Sequence, residues 1–276
     1  MRVRHLNTAT LCPMSARLVN GTGALFGRAR MVCHCLLVET RSGLLLVDTG
    51  LGRGDVAEPI RLGSTWMRQA SPRLDESETA IAQVTKLGYA PEDVRRIALT
   101  HLDLDHAGGI ADFPHASIHV HAREHRCATQ REGARADWRY IRGHIAHGPR
   151  WATFHDGGET WFGFEGVRAL DDGDPDVLLV PLQGHTLGHT GIAVRTPGGW
   201  LLHAGDGYFF HGQIEERSHA PFVLRYFQRR ADMDRAARVA NQERLRRLAI
   251  TQPEVSVFCA HDPVELERFA ERDRVI

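Results

Sequence analysis

Cysteine is scarce in this chain of 276 residues: Cys12, Cys33, Cys35, Cys127 and Cys259 are the whole complement. So few and so scattered, they exclude a disulfide framework. No apolar run reaches membrane-spanning length, and the N-terminal MRVRHLNTATLCPM lacks the continuous apolar core of a signal peptide. The expected location is the cytoplasm. An excess of charge is missing too, because 34 Lys and Arg balance 34 Asp and Glu. That balance removes the electrostatic case for nucleic acid or an anionic membrane as the main partner. Also absent are internal repeats, low-complexity linkers, a phosphate-binding glycine loop and a Ser or Cys nucleophile motif.

What is present is ordinary globular composition, 42 % hydrophobic and 25 % charged, with enough apolar content for a large core. Strand-like runs dominate, among them MVCHCLLVET, GLLLVDTG, RIALTH, VLLVPLQG, GWLLHAGD and VSVFCAHD. Cys33 and Cys35 flank His34 in the first of these. A period of two puts both thiols on one face, where they read as buried strand cysteines rather than ligands. ESETAIAQVTKLGYA predicts a helix with Ser77 as its N-cap, and DMDRAARVANQERLRRLA predicts another with an exposed face. The alternation predicts one α/β domain over residues 1–276.

The middle of the chain differs. Ala134, Trp138, Ile141 and Ile145 recur at helical spacing, with Arg131, Arg135, Arg139 and Arg142 on an adjacent face. The arginines read as a solvated face whose stems cover apolar surface, in preference to an anion-attracting wall. A helical cap over about 125–165, carrying Trp138, Trp151 and Trp161, is expected to set the substrate.

Seventeen histidines make any one of them uninformative. HLDLDH is different: after the strand-like RIAL and before Ala-Gly-Gly, it gathers His101, Asp103, Asp105 and His106 at one strand end. The sequence here resembles the metallo-β-lactamase superfamily, whose motif is usually His-x-His-x-Asp-His. Further matches follow in order. Asp48 lies in LLLVDTG, His185 in QGHTLGHTG with His189 as its rival, Asp206 in LLHAGDGYF, and His261 in VFCAHDP.

The resemblance implies a four-layer αββα sandwich of two mixed sheets flanked by helices. It implies one metal on His101, Asp103 and His185, a second on Asp105, His106 and His261, and Asp206 bridging them. Zinc is the expected ion for both positions, since histidine and carboxylate suit it. Asp103, standing where the family usually has histidine, makes the first position harder and favours Mn2+ or Fe2+ relative to an all-imidazole site. It also cancels the one positive charge that two divalent ions, a hydroxide and two aspartates leave on the usual centre.

The layout looks most like quorum-quenching lactonases, which implies hydrolysis of a lactone or carboxylic ester in a small-molecule substrate, with Asp105 in the catalytic machinery. Such lactonases place a tyrosine three residues after the bridging aspartate. That position is Phe209 here; Tyr208, one residue earlier, is a candidate donor to the carbonyl or leaving oxygen, with packing an equal reading. Thioesterases of glyoxalase II type, phosphodiesterases, oxygen- or nitric-oxide-reducing relatives and a non-catalytic ligand-binding role are the alternatives. A homodimer is compatible with this reading.

Overall fold

The structure, a computed structural model, describes residues 1–131, 139–171 and 174–273. Among the described residues, twelve strands form two six-stranded sheets. The first runs in chain order: β1 (Arg2–Leu11), β2 (Met31–Thr40), β3 (Gly43–Val47), β4 (Val94–Ala98), β5 (Ser117–His121) and β6 (Arg150–Phe154). The second holds β7 (Glu159–Trp161), β8 (Phe164–Ala169), β9 (Val177–Pro181), β10 (Thr190–Thr196), β11 (Gly199–His203) and β12 (Val255–Phe258), with β12 at the edge beside β11.

Two-residue alternation sorts the apolar side chains into layers. Leu36, Val38, Leu45, Val47 and Ala98 face the other sheet and pack on Leu179, Ile192, Val194 and Phe258. The intervening Leu37, Leu44, Leu46 and Ile97 point outward, where Ala80 and Val84 of the helix Ala80–Lys86 cover them. On the far side Val180, Leu202 and Val257 meet Leu245 and Leu248 of the helix Arg235–Thr251. Helix, sheet, sheet, helix is the expected four-layer order.

Parallel pairing positions the site. β3 and β4 are parallel neighbours, so Asp48 and the pair Thr100–His101 emerge at one end. β11 and β12 are parallel as well, which brings Asp206 and His261 out together. The segment leaving β12 then bonds across to the first sheet: His34 N donates to Ala260 O at 2.9 Å.

Three expectations change. The helix after residue 75 is capped by Thr79, whose hydroxyl accepts from Ala82 N at 3.4 Å. Ser77 instead lies in a preceding 3-10 turn capped by Asp75, because the first turn is a separate piece of helix. The segment 150–165 is sheet edge, not a helical cap: β6 completes one sheet, while β7 and the start of β8 complete the other. Accordingly Trp151 packs on the outer core and Trp161 edges against Trp200 at 5.5 Å. The cap's Ala134, Arg135 and Trp138 lie outside the described residues. No helix among the described residues is long and apolar enough to cross a membrane.

Tyr208 joins the outer core instead of the strand-end cluster. It is fully buried with Val180, Leu245 and Val257, and its hydroxyl donates to Glu265 Oε1 at 2.8 Å. Glu265 Oε2 accepts Cys259 N, also at 2.8 Å. Burial first, and the Asp262 charge second, push the Glu265 carboxyl from 4.5 up to about 7. A pKa raised in the folded state gives stability that is complete below 4.5 and lost as pH rises through about 7. Glu265→Gln keeps an acceptor for Cys259 N and offers its amide to Tyr208 without that proton linkage. Its stability relative to the wild type is expected to rise between pH 5 and pH 8, by up to about 3 kcal/mol. Denaturant unfolding of both proteins at the two pH values checks this, and a constant difference would refute it.

Candidate metal centre

His101, His185 and Asp206 place ligand atoms within 4.8 Å of one another, and so do His106, Asp206 and His261. Asp206 divides its carboxylate between the two groups. Oδ2 lies 3.2 Å from His185 Nε2 and 3.8 Å from His101 Nε2. Oδ1 lies 3.3 Å from His106 Nε2 and 3.2 Å from His261 Nε2. Ligand bonds of about 2.0–2.1 Å in a tetrahedral shell put neighbouring ligand atoms roughly 3.3 Å apart, so both groups have the spacing of a shared ion. Asp105 Oδ2 completes the second group at 3.8 Å from His261 Nε2.

Unmatched buried atoms point the same way. Among the described residues, His101 Nε2, His106 Nε2 and Asp206 Oδ1 are buried with no hydrogen-bond partner. Three such atoms converging on two points would be costly in a purely structural cluster. The donor set therefore fits two divalent cations.

The opposite ring nitrogens are held in place. Asp48 takes a left-handed backbone, φ 57°, which aims its carboxylate beneath the motif. Its Oδ2 meets His106 Nδ1 at 2.8 Å, and its two oxygens accept Thr100 N and Thr100 Oγ1, each at 2.7 Å. A proton on His106 Nδ1 leaves the Nε2 lone pair facing the pocket. Val32 O plays the same part for His261 Nδ1 at 2.9 Å. Burial alone would lower the His106 pKa, but Asp206 and Asp48 hold it well above the ordinary value. Asp206 itself lies well below its usual range, because His261, His106 and His185 overcome the effect of burial.

His185, not His189, reaches the cluster. His189 Nδ1 bonds Leu182 O at 3.0 Å, and its Nε2 accepts Asp206 N at 2.9 Å. Its imidazole thus serves as a backbone staple that sets the position of Asp206. Glu124, a residue that spacing did not reveal, ties the two loops together. It accepts Leu102 N at 3.0 Å and Gly188 N at 3.2 Å. The fit is close enough that a Cβ on Gly188 would lie 2.5 Å from Glu124 N.

Asp103 has a partner that its motif does not announce. Its Oδ2 lies 3.1 Å from His185 Nε2 and 3.5 Å from His101 Nε2, within reach of the first group. The same oxygen accepts Arg139 Nη1 at 2.5 Å, while Arg139 Nη2 donates to Ala231 O. Arg139 is buried, not solvated as its helical stripe suggested. The reason is the carboxylate it reaches. Against the effect of burial, Arg139 and His101 hold the Asp103 carboxyl well below the usual range. Aspartate and guanidinium together carry the charge of one neutral histidine, so the positive charge that Asp103 cancels is returned 2.5 Å away.

Phe209 is the aromatic beside the cluster, its ring centre 5.9 Å from that of His185 and 5.2 Å from that of His261. It supplies an apolar wall and no hydrogen-bond donor.

Comparison with known proteins places the chain in a family. A family model described as the metallo-beta-lactamase superfamily matches residues 28–248. A probable metallo-hydrolase of Mycobacterium tuberculosis is 41 % identical over 264 residues, covering 95 % of this chain and 81 % of its own length. An N-acyl homoserine lactonase of Bacillus cereus is 25 % identical over 259 residues, 93 % of this chain and 91 % of its own. In fold, the chain is similar to an N-acyl homoserine lactone hydrolase solved with N-hexanoyl-L-homoserine bound at its catalytic metal center. The TM-score is 0.71 at 22 % identity, over 96 % of this chain and 95 % of that one.

Proposed function

This chain belongs to the metallo-β-lactamase superfamily, and we propose that within it the protein is a metal-dependent hydrolase that opens a lactone or cleaves a carboxylic ester. One observation carries the reading: the two oxygens of Asp206 face two separate histidine groups, each with a buried imidazole nitrogen, His101 Nε2 in one and His106 Nε2 in the other, that has no hydrogen-bond partner among the described residues. His101, Asp103 and His185 would hold one divalent ion, and Asp105, His106 and His261 the other, with Asp206 shared. When bound, such a pair, zinc in the first instance, supplies an activated water as nucleophile and Lewis acidity toward the carbonyl and leaving oxygens.

The chain's own groups do the rest. Asp48 and Val32 O keep His106 and His261 in the ligating tautomer. Phe209 keeps bulk water from the His185–His261 side. Asp105, with its side chain 15 % exposed, stands at the rim, where its carboxylate can take the proton released on attack and return it to the leaving alkoxide. With Tyr208 turned into the core, no tyrosine hydroxyl is assigned to the reacting oxygens. Similarity to N-acyl homoserine lactonases makes acyl lactones the first substrates to try.

The test pairs metal analysis with a substrate panel on the purified protein. One to two equivalents of metal per chain and turnover of a lactone or ester are the expected results. A fully metallated protein that leaves lactones, esters, thioesters and phosphodiesters intact would overturn the hydrolase reading. Iron dependence with oxygen consumption would move the chain to the redox branch instead.

A further inference from the structure

We propose that Cys33 is a thiolate ligand of the second metal position, so that the pocket of Asp105, His106 and His261 has a soft sulfur donor in addition to imidazole and carboxylate. The inference rests on the binuclear reading above. Cys33 Sγ lies within 4.8 Å of ligand atoms of both Asp105 and His261, two of that pocket's own residues. It is buried, as are the unmatched His106 Nε2 and Asp206 Oδ1 that open into the same pocket.

The local backbone is built around this cysteine. The β1–β2 ladder is in register at Asn7 with His34 and again at Thr10 with Val32, so Thr8 and Ala9 face the single residue Cys33. That is a bulge, the device by which sheets re-aim a side chain near a site. Side chains replace the interrupted ladder: Asn7 Oδ1 accepts Cys33 N at 3.3 Å, and Thr8 Oγ1 donates to Cys33 O at 2.9 Å. Cys35, two residues on, serves as contrast. Its sulfur meets Thr8 Oγ1 at 3.0 Å and it packs in the outer core. Cys33 also touches an apolar cluster with Leu51, Leu62 and Leu104, but of the two strand cysteines it is the one whose sulfur lies beside metal-ligating side chains among the described residues.

On binding, the Cys33 S–H bond breaks, its proton passes to solvent, and a sulfur lone pair forms the S–metal bond. No oxidation state changes. A thiolate makes the second position softer, favouring zinc, cobalt or cadmium over manganese, whereas Asp103 hardens the first. The two positions should then discriminate between ions.

Cobalt loading of the full chain under anaerobic conditions reads the sulfur bond directly, without turnover. Wild-type protein with two equivalents of Co2+ is expected to show a sulfur-to-cobalt charge-transfer band in the near ultraviolet, besides visible ligand-field bands. Cys33→Ser and Cys33→Ala are expected to lose the first and keep the second, while Cys35→Ser keeps both. Cadmium titration should show one of two sites weakened about tenfold or more in both Cys33 variants and the other unchanged. Cobalt uptake with no charge-transfer band in the wild type, or a band that survives both Cys33 substitutions, overturns the assignment of Cys33 alone. Failure to take up cobalt at all overturns the metal reading with it.

Discussion

Asp103→His, which restores the family's usual motif, is expected to destabilise the protein by about 3 kcal/mol. Removing one member of a buried ion pair leaves the other charge uncompensated, and that costs more than the pair contributes. Here the group left behind is Arg139, whose side chain is 1 % exposed; it keeps its bond to Ala231 O but loses the carboxylate it reaches. A histidine that ligates an ion through one nitrogen cannot also accept from the guanidinium. Asp103→His combined with Arg139→Met should therefore recover most of the lost stability, giving a coupling of about 2 kcal/mol in the double-mutant cycle. The pH–activity profile should follow the same pattern. Asp103→His leaves the centre one charge more positive, which lowers the pH optimum, and the double variant returns it to the wild-type position. Unfolding at saturating metal and a pH–rate profile for the four proteins provide the check. Strictly additive effects would mean that Asp103 and Arg139 do not act as a unit.

The strand-end cluster was legible because it is written in short local spacing at the ends of apolar runs. RIALTH, GWLLHAGD and VSVFCAHD each carry a strand and, immediately after it, the side chain that the parallel pairing delivers to the common edge. The sandwich was legible for the same reason, since a period of two sorts Leu36 from Leu37 without knowledge of the partner sheet. Arg139 was not legible. In the sequence it falls at helical spacing with other arginines, and what turns it inward is a carboxylate 36 residues away in sequence. Tyr208 failed for a different reason. Parity along β11 ends at His203, and the turn after it re-aims each residue, so that Phe209 faces the cluster and Tyr208 the helix layer. Asp48 was visible in VDTG, but its task depends on a left-handed backbone angle that spacing does not encode.

Asp206→Ala is expected to have the largest effect on function. Substitution at His185 or His261 removes a ligand from one pocket only. Asp206 contributes an oxygen to each, at 3.2 Å from His185 Nε2 and 3.2 Å from His261 Nε2, so its loss opens both. Bound metal should fall from two equivalents to one or fewer, and kcat/KM by about a thousandfold or more, roughly 4 kcal/mol of transition-state stabilisation. Asp206→Asn separates ligation from shape. It keeps the volume and one ligating oxygen, while its amide nitrogen, which has no lone pair to offer an ion, faces the other pocket; one ion should remain. Because His189 Nε2 accepts the backbone N–H of residue 206, neither substitution removes the staple that sets the loop. Loss of metal can then be distinguished from loss of fold by unfolding temperature with and without a chelator. Wild-type protein should lose stability on chelation, since an ion that binds only the folded chain stabilises it by mass action. Asp206→Ala should show a much smaller response from a folded starting state. A folded Asp206→Ala protein that retains two ions and full turnover would show that the two pockets do not share this carboxylate.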